Sequence, residues 1–159
     1  MANTVAIDDR GIVVVCPKCG QKNRLTFERL DDEVRCGQCK EALPSLNVPV
    51  EVHSAADFDR LVAKSSIPVV VDYWAPWCGP CRMVAPELHK VAARQAGKVV
   101  IVKVNTDELS DLGARANVRS IPTLALFAGG KEVARSAGAR PADQIEAFIS
   151  QAVPRSSRV

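Results

Sequence analysis

The apolar positions of the chain form two different patterns that meet near residue 43. Upstream of this point, short apolar pieces alternate with cysteine, glycine, lysine and aspartate, whereas downstream long apolar runs alternate with segments of helical periodicity. The proline-containing segment 44–47 separates the two patterns and is interpreted as a linker. We therefore predict a small module at 1–43, a larger domain at 48–153 and a polar tail at 154–159.

The larger domain contains alternating strand and helix signals in the order βαβαβαββα. Apolar runs predict strands at Val48–His53, Ile67–Trp74, Lys98–Asn105, Pro122–Phe127 and Lys131–Ser136. Helical periodicity and capping residues predict helices from Ser54 to Lys64, from the Cys78 region to Gln95, over Glu108–Ala116 and over Pro141–Ala152. Strand–helix–strand units imply parallel pairing, and the Gly-Gly turn before the last strand implies an antiparallel hairpin. The predicted fold class is α/β, with a central mixed sheet flanked by helices.

The composition of the 159 residues restricts the classes of function that the chain can serve. Residues 1–47 carry seven basic and seven acidic side chains and residues 48–159 carry fourteen and eleven, so the net charge of +3 forms no basic stripe for nucleic acid. The chain has no run of about 18 apolar residues to span a membrane, and its start lacks the apolar stretch of a secretory signal. Because it also lacks a glycine-rich phosphate loop, we expect no directly bound nucleotide. The sequence predicts a cytoplasmic monomer that binds neither membrane nor nucleic acid.

The larger domain contains a cysteine pair directly behind the apolar run Val69–Trp74, in the segment Trp77-Cys78-Gly79-Pro80-Cys81. Two cysteines with two residues between them can close a small, reversible disulfide. A position at a helix start favours a thiolate on Cys78, because the unpaired N–H groups of the first turn stabilise negative charge. Cys81 would lie one turn further on and resolve the mixed disulfide that Cys78 forms with a substrate. The alternative, a metal knuckle or two inert core cysteines, is disfavoured by Trp77 and by the Gly-Pro pair.

Three further residues lie where they could assist this cysteine pair. Asp72 interrupts an apolar strand, and burial would raise its pKa so that it serves as a general base for Cys81; an exposed aspartate at a strand end is the alternative. Lys103 interrupts the neighbouring strand and is either the charge partner of Asp72 or an exposed strand-end lysine. Pro122 follows Ile121 at a strand start, and spacing alone does not decide between a cis bond beside the active site and an ordinary edge feature.

Four more cysteines lie upstream in two pairs of the same spacing, separated by sixteen residues. These cysteines are Cys16, Cys19, Cys36 and Cys39. Two such knuckles supply the four thiolates of a tetrahedral zinc site, and Gly20 and Gly37 suit the tight turns that the knuckles need. Iron in a rubredoxin-like arrangement and two disulfides are the alternatives. We predict one structural zinc ion, which would supply much of the folding energy of so small a module.

Residues 71–86, Val-Asp-Tyr-Trp-Ala-Pro-Trp-Cys-Gly-Pro-Cys-Arg-Met-Val-Ala-Pro, resemble the active-site segment of the thioredoxin family. The later pieces that fit the same family are residues 102–105, 119–123, 127–130 and 138–139. The resemblance implies a thioredoxin fold and a reductase of protein disulfides, recharged by an NADPH-dependent thioredoxin reductase. The N-terminal knuckles resemble those of the zinc-binding bacterial thioredoxins of the thioredoxin 2 type, which implies a small zinc-ribbon-like module.

The resemblance also implies a role for each matched position. The implied roles are nucleophile for Cys78, resolving thiol for Cys81, buried base for Asp72, charge partner of that base for Lys103 and cis-proline for Pro122. The residues matched to the surface that receives the substrate are Trp77, Gly79, Pro80, Ile121 and Gly138. Oxidised client proteins would be the substrates.

Two other functions fit part of the sequence. In the first, the protein is a zinc–thiolate redox sensor or binding module, in which oxidation releases the metal and alters the choice of partner. In the second, it is an oxidase or isomerase of folding proteins, which the absent secretory signal and the Gly-Pro dipeptide disfavour. The reductase is therefore the prediction that the sequence favours.

Overall fold

The computed structural model describes residues 5–153, so the first residues of the predicted module and the predicted tail, 154–159, lie outside the described part. The N-terminal module contains a three-stranded antiparallel sheet with the order β1-β2-β3. Its strands are β1 (Val5–Ile7), β2 (Gly11–Val15) and β3 (Lys22–Thr26), and a short 3-10 helix follows at Phe27–Arg29. The sequence pattern did not predict these strands, because they are too short to show a sustained alternation.

The larger domain contains a five-stranded mixed sheet with helices on both faces. Its strands are β4 (Val50–Glu51), β5 (Val69–Trp74), β6 (Val100–Asn105), β7 (Thr123–Ala128) and β8 (Lys131–Ala137). Its helices are α1 (Ala55–Lys64), α2 (Gly79–Arg94), α3 (Ser110–Arg115) and α4 (Ala142–Ala152). The strand order is β4-β6-β5-β7-β8, with β4 and β5 parallel to β6 and the remaining pairs antiparallel. The predicted α/β class and the order βαβαβαββα are confirmed.

The strand predicted at Val48–His53 is shorter than expected, since only Val50–Glu51 pairs with β6. Helix α1 begins where the sequence predicts, because the Ser54 hydroxyl accepts the backbone N–H of Asp57 at 3.0 Å. The Asp57 carboxylate accepts a hydrogen bond from Arg60 at 3.0 Å and does not complete a capping box.

Each face of the five-stranded sheet packs against a different layer. Val71 and Tyr73 belong to an apolar cluster shared with α1, α3 and the N-terminal module. Val70 and Leu124 belong to a second cluster, which contains residues of α2 and α4. Because successive side chains of a strand point to opposite faces, Asp72 lies on the same face as Val70. The only acidic residue of β5 is therefore directed towards the layer that contains α2.

The N-terminal module packs against the larger domain. Ile12 and Leu25, which are paired across β2 and β3, belong to the same buried cluster as residues of β4 and α1. The backbone joins the two parts as well, since the N–H of Ser66 donates to the carbonyl of Phe27 at 3.0 Å and the N–H of Leu30 donates to the Ser66 hydroxyl at 3.1 Å. One apolar core thus extends through the module and one face of the domain.

Candidate redox centre and candidate metal site

Cys78 and Cys81 form a disulfide at the start of α2, with their Cα atoms 5.3 Å apart. Cys78 is the N-cap residue of the helix, and its sulfur accepts the backbone N–H of Cys81 at 3.2 Å. Pro80 lies in the first turn, where its missing N–H has no helical partner to lose. Both cysteines are 4% exposed. The Cys78 sulfur is therefore placed where the helix N-terminus stabilises a thiolate once the disulfide opens.

The residues that the family resemblance assigns to substrate binding surround this disulfide on its outer side. The Trp77 side chain is 67% exposed, and its indole N–H donates to Asp107 at 3.3 Å. Gly79 and Pro80 are exposed beside it. Ile121 packs against the cluster that contains both cysteines, and its carbonyl oxygen lies 3.7 Å from the Cys78 sulfur.

The loop before β7 packs against the disulfide through Ile121. The Ile121–Pro122 bond is cis, the feature that the spacing alone left open. The carbonyl of Pro122 accepts the N–H of Gly138 at 2.9 Å, and Gly138 has a positive φ of 93°. The Thr123 hydroxyl closes the turn by donating to the carbonyl of Ser120 at 2.6 Å. Gly138 is thereby held next to the Ile121–Pro122 pair.

Asp72 is buried on the face of the sheet that carries α2. Its side chain is 1% exposed, which excludes the alternative of an exposed residue at a strand end. Its Oδ1 atom has no hydrogen-bond partner among the described residues. Burial raises the pKa of Asp72 to about 7, while the positive charge of Lys103 acts in the opposite direction and the negative charge of Glu51 adds to the rise. A carboxyl group with this pKa can both accept and release a proton near neutral pH.

Lys103 lies directly opposite Asp72 in the register of β5 and β6. Its ammonium group lies 4.5 Å from the centroid of the Trp74 ring, a cation–π contact. Among residues 5–153 it forms no ion pair within 4.0 Å with Asp72. The predicted pairing of Lys103 with Asp72 is thus a charge interaction at longer range and not a direct salt bridge.

Sequence reasoning missed two acidic residues near this centre. Asp107 follows β6 and accepts the indole N–H of Trp77, and Glu51 lies opposite Lys103 on the edge strand β4. Both contacts join segments that are far apart in the chain. If the register of β4, β5 and β6 were predicted from the sequence, it would place Glu51 opposite Lys103. No sequence signal indicates Asp107.

The four upstream cysteines form one compact cluster of sulfur atoms, all within 4.8 Å of one another. The Cys16 and Cys39 sulfurs are 3.7 Å apart, and the Cys19 and Cys36 sulfurs are 3.5 Å apart. Tetrahedral coordination with Zn–S bonds of about 2.3 Å places neighbouring sulfurs about 3.8 Å apart. A disulfide would need about 2.05 Å. The four free thiols therefore fit a tetrahedral metal site and not two disulfides.

The two knuckles have the same backbone hydrogen bonds. In the first, the N–H of Cys16 donates to Gln21 and the N–H of Gly20 donates back to the Cys16 carbonyl, at 2.8 and 2.9 Å. In the second, the N–H groups of Cys36 and Lys40 make the equivalent bonds at 2.8 and 3.0 Å. The turn residue has a positive φ in both knuckles, 79° at Gly20 and 65° at Lys40. Gly37 lies in the second turn, as predicted, but the residue with the positive φ equivalent to that of Gly20 is Lys40.

Hydrogen bonds to sulfur prepare this cluster for a metal ion. The Asn23 amide donates to the Cys36 sulfur at 3.5 Å, and its oxygen accepts the N–H of Gly37 at 3.0 Å. The backbone N–H of Cys39, with the Asn23 amide, lowers the pKa of Cys36 to about 6 against the opposing effect of burial. Metal binding requires thiolates, so these donors favour the form that binds. The donor set suits zinc, which would be held by all four sulfurs and would fix the two knuckles together.

Comparison with known protein families matches both parts of the chain. Residues 49–151 match the family described as "Thioredoxin", and residues 15–41 match the family described as "Thioredoxin 2, N-terminal", a zinc ribbon. The first match covers most of the domain built on the five-stranded sheet. The second match contains all four clustered cysteines.

Individual proteins are similar over the same regions. Thioredoxin C-3 of Corynebacterium nephridii is 41% identical over 140 residues, which cover 88% of this chain and 94% of that protein. The thioredoxin of Haemophilus influenzae is 51% identical over 96 residues, 60% of this chain and 90% of that protein. The solved structure of a mutant thioredoxin from Halobacterium salinarum NRC-1 superposes with a TM-score of 0.62 at 29% identity and covers 69% of this chain and 94% of that one. None of the described helices is long and apolar enough to cross a membrane.

Proposed function

The chain belongs to the thioredoxin family, as a protein-disulfide oxidoreductase with an N-terminal zinc ribbon, and from this premise we propose that it works as a reductase of disulfides in client proteins. One observation carries the proposal: the Cys78 sulfur accepts the N–H of Cys81 at the start of α2. A sulfur so placed is stabilised as a thiolate once the disulfide opens, and the thiolate is the form that attacks a client disulfide.

The reaction has two steps in which two electrons pass from the dithiol to the client. The Cys78 thiolate attacks one sulfur of the client disulfide, a mixed disulfide forms, and the released client thiolate takes a proton from solvent. Cys81 then loses its proton to the Asp72 carboxylate and attacks the Cys78 sulfur. The Cys78–client bond breaks, and the second client thiolate leaves with the electron pair. The protein ends as the Cys78–Cys81 disulfide.

The surface around Cys78 supports a protein as the substrate. Trp77 offers a large exposed apolar side chain, and Gly79 and Pro80 leave open space in front of the disulfide. The Ile121–Pro122 segment, with Gly138 beside it, presents backbone groups to which an extended client segment could bind. We assign these five residues to client binding.

The proposed cycle needs a second protein that returns the disulfide to the dithiol. An NADPH-dependent thioredoxin reductase is the class of partner that the family implies, and the nucleotide binds to that partner. We propose that the protein is a monomer with no membrane or nucleic-acid partner. Its proposed location is the cytoplasm, because the four clustered thiols and the redox pair both need a compartment that keeps thiols reduced. The proposed units remain the zinc module at 1–43, the linker 44–47 and the thioredoxin domain at 48–153.

A reduction assay with insulin, thioredoxin reductase and NADPH tests the reductase. We expect turnover by the wild type, no turnover by Cys78→Ser, and a trapped mixed disulfide without turnover by Cys81→Ser. Lys18→Ser is the control, since this exposed position is neither a cysteine of the metal site nor part of the redox pair and should keep full turnover. Full activity of Cys78→Ser, or an inactive wild type, would contradict the proposal.

A second function has one observation in its favour. Cys19 and Cys39 are only partly buried, so oxidants can reach half of the zinc ligands. If the module is a redox sensor, peroxide at low dose releases zinc while the chain remains folded. Zinc that stays bound until the protein unfolds would leave the metal with a structural role alone.

A further inference from the structure

Glu51 occupies a place that the reaction described above does not use. It lies on the edge strand β4 directly opposite Lys103 of β6, which lies directly opposite Asp72 of β5. Directly paired residues of neighbouring strands point to the same face of a sheet. Glu51, Lys103 and Asp72 therefore form a row on the face that carries α2, and the row runs from the sheet edge inward to Asp72.

The row contains one positively charged side chain, Lys103, between the carboxyl groups of Glu51 and Asp72. Strands lie about 4.8 Å apart, so Glu51 and Asp72 are about 10 Å apart at their Cα atoms, with Lys103 between them. The Lys103 ammonium group lies over the Trp74 ring, and within residues 5–153 it forms no ion pair shorter than 4.0 Å with either Asp72 or Glu51. The buried Oδ1 of Asp72 has no partner among the described residues. The ammonium is thus within reach of Asp72 without neutralising it.

The charged groups around Glu51 oppose the effect of its burial. Burial is the largest effect and leaves the pKa of Glu51 raised overall, whereas Lys103, His53 and, least of all, the indole N–H of Trp74 act to lower it and Glu108 acts to raise it. The Trp74 N–H faces Glu51 from beyond hydrogen-bond distance. His53 and Glu108 form their own ion pair at 2.7 Å outside the row. The charged groups that face Asp72 are therefore Lys103 and Glu51, while β7 contributes the apolar Leu124.

We propose that Glu51 is a positioning residue for the redox reaction: its carboxylate draws the Lys103 ammonium towards the sheet edge, and Asp72 is left able to take up the proton of Cys81. A carboxylate in contact with an ammonium group is a weak base, whereas a buried carboxylate without one is a stronger base. The inference rests on the proposed role of Asp72 as proton acceptor. It adds the residue that keeps this acceptor basic.

The direct test is the titration of the Asp72 carboxyl carbon by NMR in the oxidised, zinc-loaded full chain. The wild type should titrate near pH 7. Glu51→Gln removes the charge at nearly constant shape, and we expect the midpoint to fall by roughly one pH unit, because the released Lys103 ammonium can then approach Asp72 and favour its ionised form. Glu51→Asp keeps the charge and should restore most of the wild-type midpoint. Glu108→Gln, a nearby carboxylate outside the row, should leave the midpoint in place.

The Lys103→Met background separates the attraction of Lys103 from simple repulsion between the two carboxylates. If Glu51 acts by holding the ammonium, Glu51→Gln changes the Asp72 midpoint much less in Lys103→Met than in the wild type. An equal change in both backgrounds would overturn the proposal. An unchanged midpoint in Glu51→Gln, or an equal change in Glu108→Gln, would overturn it as well.

The pH profile of client reduction distinguishes failure of this inference from failure of the proposed function. If both hold, the acid limb of the rate profile moves with the Asp72 midpoint in Glu51→Gln. A midpoint that moves while the rate profile stays unchanged contradicts the role of Asp72, and with it Glu51 as a positioning residue. If the rate profile depends on Asp72 but the Asp72 midpoint is unchanged in Glu51→Gln, the inference about Glu51 is overturned and the proposed function stands.

Discussion

At the scale of single residues, Asp72 reduces the stability of the fold in which it takes part. Its carboxyl group lies between the apolar residues Val71 and Tyr73 of a strand that is buried on both faces. Burial of an ionised carboxylate is unfavourable, which is why its pKa rises to about 7. The raised pKa fits the proposed use of Asp72 in proton transfer.

Asp72→Asn should therefore stabilise the oxidised protein in a pH-dependent way. Between the ordinary value of 3.8 and the folded-state pKa of about 7, the folded wild type binds more protons than the unfolded chain, so its stability falls as the pH rises through this range. We expect the variant to exceed the wild type by about 2 to 4 kcal/mol in free energy of unfolding at pH 8 and to match it near pH 4. Urea denaturation at several pH values measures both quantities.

The control for this prediction is Asp31→Asn, an exposed aspartate far from the redox centre, whose difference from the wild type should not vary with pH. A difference for Asp72→Asn that is the same at pH 4 and pH 8 would contradict the raised pKa. Client reduction by Asp72→Asn should slow at the same time, because Cys81 loses its proton acceptor.

The functional residues that could be predicted are those whose signal lies within one short segment. Cys78, Cys81 and the four zinc cysteines have a fixed spacing, and Asp72 stands out because it interrupts an apolar run. Glu51 and Asp107 could not be predicted, because they reach the centre through pairing between strands and through a loop contact. A sequence pattern shows which residues are neighbours along one element, but not which elements become neighbours in space.

At the scale of elements, helix α4 is capped by a residue of another helix. Its N-cap position is Pro141, which has no side-chain acceptor for the first N–H groups. Glu87 of α2 supplies the acceptor, since its Oε1 atom takes the N–H of Ala142 at 2.9 Å. Arg94 of α2 adds an ion pair to Glu146 of α4 at 2.8 Å. The start of α4 is thus attached to the helix that begins at the redox cysteines.

Glu87→Ala should lower the melting temperature by roughly 2 to 6 °C, as expected when a helix of this size loses its N-terminal acceptor. Glu87→Gln keeps a neutral acceptor and should lose less. Lys90→Ala removes the cation that contacts the other oxygen of Glu87 at 3.0 Å, and this exposed pair should matter least. Calorimetry of the three variants checks the order, and equal melting temperatures for Glu87→Ala and Lys90→Ala would contradict it.

Most elements of the larger domain could be predicted, because long apolar runs and a local cap such as Ser54 are visible in the sequence. The N-terminal strands could not, since three to five residues are too few to establish a period. The positive φ of Lys40 in the second knuckle could not be predicted either, because composition favours glycine at such a position. Short elements depend on contacts that the sequence does not display.

At the scale of the whole molecule, the zinc ribbon and the thioredoxin domain share one buried core. Two of the metal-binding cysteines, Cys16 and Cys36, belong to the same apolar cluster as Leu61 of α1 and Val102 of β6. The segment 44–47, which the sequence predicts to be a linker, contributes the buried Leu46 to this cluster. The two parts should therefore unfold together.

Removal of zinc should destabilise the whole chain and not the module alone. We expect a strong chelator to lower the single melting transition by roughly 10 °C or more and re-addition of zinc to restore it. Cys36→Ser should lose the metal and show the same low transition, whereas Lys18→Ser, an exposed position within the first knuckle, should keep one zinc ion per chain. Calorimetry with metal analysis measures both. Two separate transitions after chelation, with the upper one unchanged, would contradict a shared core.

Six cysteines in one chain also offer many wrong pairings during refolding from denaturant. In the folded protein they belong to two separate packing clusters, one with the ribbon sulfurs and one with Cys78 and Cys81. A preparation that supplies zinc under reducing conditions first withdraws four sulfurs from oxidation, so that air or glutathione disulfide can then close only the Cys78–Cys81 pair. The order in which metal and oxidant are added thus determines the yield of correctly paired protein.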